Sequence, residues 1–173
     1  RLPCRLTNFS VNNLKEFQEG SEYIRILAES YKNLNPQKYQ EQLDRADQLP
    51  HLKIEDTPFS TITFNRNFRT AVHTDFGDLG FGNLSVLERG HYHGGYFVIP
   101  QYGVAVDMRQ GDHLCVDVHK FHGNTELYET EEDKDYNDRN PQETFNDNLE
   151  VGVLGLNNRF SRISFVCYLR EDL

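Results

Sequence analysis

Two segments decide the fold, Arg69-Thr-Ala-Val-His-Thr-Asp75 and Asp117-Val-His-Lys-Phe-His-Gly-Asn-Thr125. The first predicts a strand in which a histidine and a carboxylate, His73 and Asp75, stand two residues apart. Because residues i and i+2 of a strand project from the same face, these two side chains can converge on one point. A third ligand from a distant strand would complete a facial metal site.

The second segment supplies two candidates for that third ligand, His119 and His122. They are three residues apart, so on an extended chain they face opposite sides and only one can readily bind the metal. Two imidazoles and one carboxylate on one face of an octahedron form the ligand set of the non-haem Fe(II) oxygenases. His91 and His93 could also chelate a metal, but the glycines after them indicate a loop.

An oxygenase that uses 2-oxoglutarate also needs a cation for the far carboxylate of that cosubstrate. Arg162 fits, because its guanidinium can pair bidentately with a carboxylate. Ser164 lies on the same strand face, where its hydroxyl can share that carboxylate. Arg159 and Arg170 are the alternatives for the same role.

Arg69 lies four residues before His73, hence on the same face if the strand is regular. Two roles are open for it. It can hold the other end of 2-oxoglutarate or a substrate phosphate, or it can pair with an acidic neighbour.

Taken together, these residues resemble the Fe(II)/2-oxoglutarate-dependent dioxygenases, and their surroundings are most similar to the TET/JBP family of nucleobase oxygenases. The resemblance covers about the last two thirds of the chain and is carried by Asn65–Asp78, Gly111-Asp112, Phe121–Thr125 and Arg162-x-Ser164. His122 matches the distal histidine of the family. One departure is that a long acidic insert separates His122 from Arg162, whereas the family's arginine often follows its second histidine closely.

The resemblance implies Fe(II) bound by His73, Asp75 and His122, with 2-oxoglutarate and O2 as cosubstrates and no catalytic side chain beyond the metal ligands. It implies hydroxylation of the 5-methyl group of thymine or 5-methylcytosine in DNA. A base inside a duplex is out of reach, so the target base must be flipped out or single-stranded, with aromatic side chains to stack on it. We expect substrate contacts from Asn83, His119, Phe76 and Tyr96.

Two other functions stay open. A net charge of −9 opposes an electrostatic grip on DNA and favours a dioxygenase that acts on a protein side chain, such as proline, or on a small molecule. The second alternative is a cupin-like module that holds metal or ligand without turnover, and zinc would fill the same ligand set without redox chemistry. The Arg162-x-Ser164 pair counts against that module.

Most of the negative charge lies in one segment. Residues 126–150 hold ten acidic and two basic side chains, so the remaining 16 basic and 17 acidic residues nearly cancel. A near-neutral body permits a basic groove for DNA. Within this segment, residues 128–148 are polar, acidic and poor in aliphatic side chains, which predicts a mobile loop.

The periodicity predicts helices first and strands afterwards. Apolar residues in 12–34 recur at three- and four-residue spacing, which predicts a helix interrupted near Gly20, and a shorter helix follows from Pro36 to near Pro50. Short β-rich runs separated by turn residues predict strands at 59–65, 68–75, 84–87, 96–100, 104–108, 113–118 and 163–169. We expect a mainly β fold with N-terminal helices (α+β), whose core is a double-stranded β-helix of the jelly-roll, cupin-like class.

A length of 173 residues fits one dioxygenase domain, 1–173, with helical support over 1–50 and the β-helix core over 58–173. An initial Arg1 in place of Met indicates a piece of a longer chain. The cysteines, Cys4, Cys115 and Cys167, are odd in number and form no Cys-x-x-Cys pair, which favours free thiols in a reducing compartment. We therefore expect an intracellular monomer. It would act in the nucleus or the cytoplasm, or as a viral protein inside a host cell. Its expected partner is DNA, and no membrane association is expected.

Overall fold

A computed structural model describes residues 11–140 and 159–171. Three helices lie in these ranges: α1 (Leu14–Leu34), α2 (Pro36–Ala46) and α3 (Glu131–Arg139). The strands are β1 (Thr61–Arg66), β2 (Asp78–Arg89), β3 (His93–Gly94), β4 (Phe97–Ile99), β5 (Val104–Val106), β6 (His113–Val116), β7 (Gly123–Asn124), β8 (Leu127–Tyr128) and β9 (Ser161–Arg170).

The two N-terminal helices meet at Asn35. Its side chain accepts a hydrogen bond from the backbone N–H of Lys38 at 3.2 Å, and Pro36 occupies the first turn of α2, where its missing N–H costs nothing. Helix α1 runs through Gly20 without a break, so the predicted interruption is wrong. Its apolar stripe is buried, which makes α1 a brace for the sheet behind it.

The main sheet is antiparallel, with strand order β1-β9-β2-β6. Alternate residues of β9 face opposite sides. Phe165 and Cys167 face the helices, and the Phe165 ring lies 5.1 Å from that of Tyr23 on α1. The other face of β9 forms one wall of a cavity, with Arg162, Ser164, Val166, Tyr168 and Arg170.

A smaller sheet of order β5-β4-β7 covers the cavity face of the main sheet. Between the two sheets lies an apolar cluster of Val86, Phe97, Met108, Val116 and Val118. A mainly β fold with N-terminal helices is therefore confirmed.

Two further local predictions are wrong. Residues 68–75 form no regular strand, and within them His73 makes an isolated antiparallel bridge to His122. The predicted mobile loop is instead the helix α3 over Glu131–Arg139, because Thr130 and Asp133 form a capping box that satisfies its first turn. Residues 141–148 of that predicted loop lie outside the described residues.

Cys115 and Cys167 are free, and burial raises the pKa of both thiols to about 12. They are therefore unreactive at neutral pH. Cys4 lies outside the described residues. Among the described residues, no helix is long and apolar enough to cross a membrane.

Candidate metal centre and cosubstrate cavity

Backbone hydrogen bonds bring the metal-ligand candidates together. The N–H of His73 donates to the carbonyl of His122 at 2.8 Å, and the N–H of His122 donates to the carbonyl of His73 at 2.9 Å. The N–H of Asp75 donates to the carbonyl of Val118 at 3.0 Å. These three hydrogen bonds, and not a regular strand, bring the three side chains together.

The three side chains form a compact ligand cluster. Nε2 of His73 lies 3.1 Å from Oδ1 of Asp75, and Nε2 of His122 lies 3.7 Å from Oδ2 of the same carboxylate. One ligand atom from each residue falls within 4.8 Å of the others, a spacing that could hold a metal ion. The ring of His122 is further fixed by stacking on Phe97, with 5.5 Å between centroids.

The hydrogen bonds of the two imidazoles determine which nitrogen is free. Nδ1 of His73 lies 2.8 Å from the carbonyl of Ala71, and Nδ1 of His122 lies 2.8 Å from the carbonyl of Lys120. A carbonyl can only accept, so Nδ1 of each ring donates to it, and Nε2 is the nitrogen that faces the cluster and can bind a metal ion. Two imidazoles and one carboxylate form a donor set that suits Fe(II).

Arg162 is a buried cation with an unused donor. Its residue is only 7% exposed, and its Nε has no hydrogen-bond partner among the described residues. Its backbone, in contrast, is held by Asn67, whose Oδ1 accepts from the N–H of Arg162 at 2.7 Å. Since a buried donor without a partner is unfavourable, this guanidinium is suited to an anionic ligand.

The ligand cluster and Arg162 open into one cavity of about 370 Å³. Ser164 lines it from the same face of β9. The cavity is large enough for a small dicarboxylate beside the metal, given that ligand pockets span roughly 300–1,000 Å³. The other lining residues include Thr63, Asn65, Phe68, Thr70, Leu84, Val86, Met108 and Tyr168.

The two alternative arginines are already paired. Arg159 is exposed and lies 2.5 Å from a carboxylate oxygen of Asp138 on α3. Arg170 lines the cavity, and its Nη1 lies 3.3 Å from Oδ1 of Asp78. Arg162 alone of these three combines burial with an unpartnered nitrogen in the described chain.

Asp78 is a cavity residue that the sequence did not single out. Burial, and to a smaller extent the charge of Asp75, raise its pKa to about 6, although Arg170 and His119 oppose the rise. Two sequence features could have predicted this pair. Asp78 lies three residues after Asp75, and Arg170 lies on the cavity face of β9.

The structure brings only some predicted substrate contacts to the cavity. Phe76 lines it and is 87% exposed, so its ring stands free at the mouth. Tyr96 is exposed but does not line the cavity. Arg69 is also exposed outside the cavity, 3.9 Å from a carboxylate oxygen of Glu126, which favours its alternative role as a partner of an acidic residue.

Asn83 and His119 make contacts within the protein instead. Asn83 is fully buried on the helix side of the sheet, where its Oδ1 lies 3.1 Å from Nε2 of His113. The ring nitrogens of His119 lie 3.0 Å from a carboxylate oxygen of Asp117 and 2.9 Å from the carbonyl of Asp78. Neither residue lines the cavity.

The His91-x-His93 pair contacts α3. The His91 ring stacks on Tyr136 with 3.5 Å between centroids, and Nε2 of His93 lies 3.2 Å from a carboxylate oxygen of Asp133. Within the described chain, the grouping with metal-ligand spacing is His73, Asp75 and His122.

Known proteins match most or all of the chain. Thymine dioxygenase JBP1 of Trypanosoma brucei brucei is 40% identical over 139 residues, which are 79% of this chain and 16% of that protein. The bifunctional helicase and thymine dioxygenase JBP2 of Leishmania tarentolae is 38% identical over 175 residues, 100% of this chain and 13% of that protein. The chain thus spans less than a fifth of these curated relatives.

A solved structure of NgTET1 in complex with 5mC DNA has a similar fold, with a TM-score of 0.65 over 96% of this chain and 55% of that chain. At 12% identity, this likeness supports the jelly-roll oxygenase fold alone. The model of the Tet_JBP family, described as the oxygenase domain of the 2OGFeDO superfamily, matches residues 1–171. The chain therefore belongs to the Tet_JBP family of oxygenases, which use Fe(II), 2-oxoglutarate and O2.

Proposed function

We propose that the chain hydroxylates the 5-methyl group of thymine or 5-methylcytosine in DNA as an Fe(II)/2-oxoglutarate-dependent dioxygenase. The observation that carries the proposal is one cavity that holds both the ligand cluster of His73, Asp75 and His122 and the unpartnered guanidinium of Arg162. The choice of substrate is supported by relatives named thymine dioxygenases and by the NgTET1 complex with 5mC DNA.

His73, Asp75 and His122 would hold Fe(II) through two Nε2 atoms and one carboxylate. When bound, the iron and 2-oxoglutarate supply the oxidising chemistry: O2 gives one oxygen atom to the substrate C–H bond and the other to succinate, and CO2 is released. The protein's part is to fix the ligands. The carbonyl groups of Ala71 and Lys120 do so by holding the Nδ1 protons of both histidines.

Arg162 and Ser164 would bind the far carboxylate of 2-oxoglutarate. The guanidinium is buried and faces the cavity, so a carboxylate there would gain a charged hydrogen bond in a site shielded from water. The Ser164 hydroxyl projects from the same face of β9, and its O–H can donate to the same carboxylate.

Phe76 is the substrate contact that the structure favours. Its exposed ring lies at the cavity mouth immediately after the metal-ligand candidate Asp75, where a base leaving the duplex would pass. Stacking of a base on an aromatic ring contributes about 1–3 kcal/mol and tolerates different bases. Apolar cavity side chains such as Leu84 and Val86 can receive a methyl group.

The proposal is tested by succinate formation in the presence of Fe(II), 2-oxoglutarate and O2. A single-stranded oligonucleotide that contains thymine or 5-methylcytosine should stimulate succinate release, whereas one with uracil and cytosine in their place should not. A proline-rich peptide serves as the protein-substrate arm. Stimulation by the peptide and not by either oligonucleotide would overturn the DNA substrate.

A further inference from the structure

Helix α3 lies in the insert between His122 and Arg162, and its buried side contacts the segment 91–95. Tyr136 and Asp133 contact the side chains of His91 and His93, and Asn137, which is 2% exposed, contacts the backbone of the segment. Its Oδ1 accepts from the N–H of His91 at 2.7 Å, and its Nδ2 donates to the carbonyl of His91 at 2.9 Å. Nδ2 also donates to a carboxylate oxygen of Glu129 at 2.8 Å. The amide thereby holds both backbone groups of one residue.

The far end of the same segment forms the wall beside Arg162. A Cβ on Gly95 would lie 3.3 Å from Nε of Arg162 and 2.6 Å from Cδ2 of Leu127, so the Gly95 backbone packs directly against the guanidinium. Between the two ends, the Tyr92 ring stacks on Phe160 with 4.9 Å between centroids. The segment 91–95 therefore contacts Phe160, two residues before Arg162, and also the side chain of Arg162 itself.

Within the described chain, hydrogen bonds hold the backbone of Arg162 but not its guanidinium Nε. Asn67 holds the backbone on both sides of Ser161, through the carbonyl of Phe160 and the N–H of Arg162. The guanidinium Nε, in contrast, has no hydrogen-bond partner among the described residues. Its direction depends on the wall against which it packs.

We propose that Asn137 is a positioning residue for Arg162. By locking His91 to α3, it anchors the start of the segment 91–95, while pairing of His93 and Gly94 with β8 and a bond from the Gly95 N–H to the Glu126 carbonyl hold the end. The anchored start helps to set the affinity for the far carboxylate of the cosubstrate. This inference rests on the proposed role of Arg162 in binding 2-oxoglutarate. It gives the acidic insert a function in the cosubstrate site, although α3 contributes no residue to the cavity lining.

The test is calorimetric titration of 2-oxoglutarate into Mn(II)-loaded protein, which measures binding without turnover. Loss of a residue that orients a metal ligand typically costs about 10–100-fold in affinity, and for the analogous support of Arg162 we expect Asn137→Ala to raise the 2-oxoglutarate Kd about tenfold. The Kd for Mn(II) should stay unchanged, because α3 does not contact the ligand cluster. Asp135→Ala, on the exposed side of the same helix, is the matched control and should bind like the parent.

Two further variants separate positioning from general loss of structure. Asn137→Asp keeps the acceptor for the His91 N–H but places a carboxylate oxygen against the His91 carbonyl and the Glu129 carboxylate, so its Kd should rise at least as much as that of Asn137→Ala. In an Arg162→Ala background, Asn137→Ala should have no further effect on binding, because the group that it positions is gone.

Unchanged 2-oxoglutarate affinity in both Asn137 variants would overturn the positioning role and leave the proposed function standing. The same conclusion would follow if Asn137→Ala lowered 2-oxoglutarate affinity equally in the parent and in the Arg162→Ala background. It would also follow if Asn137→Ala lowered Mn(II) affinity in parallel. If Asn137→Ala does not fold, the comparison of Asn137→Asp with Asp135→Ala decides. A parent protein that binds Mn(II) but no 2-oxoglutarate would contradict the proposed function and this inference together.

Discussion

His122 and Asp75 face each other with 3.7 Å between imidazole Nε2 and carboxylate Oδ2, although neither lies in a long strand. The link between their segments is a pair of backbone hydrogen bonds between His122 and His73. The metal site is therefore built by a local bridge inside a loop region, with the sheets as support.

Removal of any one ligand should abolish iron binding. His73→Ala, Asp75→Ala and His122→Ala each leave two of three protein ligands, whereas His119→Ala should bind Fe(II) like the parent because its ring contacts Asp117 and Asp78. Anaerobic equilibrium dialysis with Fe(II) measures the difference. Loss of iron in the His119 variant together with retention in the His122 variant would show that the third ligand is misassigned.

Arg162→Lys should weaken 2-oxoglutarate binding while iron binding stays the same. Lysine keeps the charge but loses the planar fork, and a charged hydrogen bond contributes about 1.5–3 kcal/mol, so the apparent 2-oxoglutarate constant should rise about ten- to a hundredfold. The measurement is succinate formation over a range of 2-oxoglutarate concentrations.

Arg159→Lys and Arg170→Lys are the controls for that substitution, since both arginines already pair with aspartates. An impaired Arg159 or Arg170 variant beside a normal Arg162 variant would move the anchor to that residue. Unchanged dependence in all three variants would argue against 2-oxoglutarate as the cosubstrate.

Gly123→Ala should distort the bridge next to His122. The new Cβ would lie 3.0 Å from the carbonyl oxygen of Thr70 and 3.1 Å from the backbone of Val72, and backbone atoms cannot yield as a side chain can. We expect a loss of about 1–3 kcal/mol in the free energy of unfolding, together with weaker iron binding. Urea unfolding and metal titration measure the two effects.

Gly20→Ala is the matched control for Gly123→Ala. Gly20 lies inside α1 with no atom within 4 Å of the added Cβ, so alanine should stabilise the protein by about 0.5–1 kcal/mol. A Gly123→Ala protein as stable and as metal-competent as the parent would show that the bridge tolerates displacement.

Asp133→Asn should make stability less dependent on pH. Burial raises the pKa of Asp133, but hydrogen bonds from the backbone N–H and hydroxyl of Thr130 and the charges of His93 and His91 hold it below its ordinary value of 3.8. A carboxyl whose pKa is lowered by folding stabilises the folded state above its unfolded pKa, and that contribution is lost as the pH falls through the folded pKa.

The Asp133→Asn variant should therefore lose about 1 kcal/mol of unfolding free energy near neutral pH, and the difference should shrink in acid. Urea unfolding at several pH values measures it. Glu132→Gln, an exposed position on the same helix, should match the parent throughout. A constant difference between Asp133→Asn and the parent at all pH values would show that the carboxylate charge is not the stabilising element.

Some site residues were predictable because their positions follow strand alternation. Arg162 and Ser164 share one face of β9, and the same rule places Tyr168 and Arg170 on that face. The sequence pattern of residues 69–75 was misleading in detail, because one bridge to His122, and not a full ladder, sets the direction of His73.

The acidic composition of residues 128–148 is typical of a loop, and only the capping signal at its start predicts the helix α3. Thr130 followed three residues later by Asp133 is a start signal, and it offsets the weak helix preference of the segment. The burial of Asn83 could not be read from its neighbours, since Gly82 and Leu84 permit either face and the polar contact comes from His113 on β6. Contacts between distant strands decide such positions.

If this cavity oxidises a base methyl group, the mass of the product nucleosides must show the added oxygen. The parent protein, incubated with Fe(II), 2-oxoglutarate, O2 and single-stranded DNA that contains thymine and 5-methylcytosine, should yield a nucleoside with one added oxygen atom on one of these bases. Asp75→Ala should yield none. The contradicting result is DNA that stays unmodified although the same preparation binds iron and 2-oxoglutarate and oxidises a peptide or free metabolite. That result would show that DNA is not the substrate.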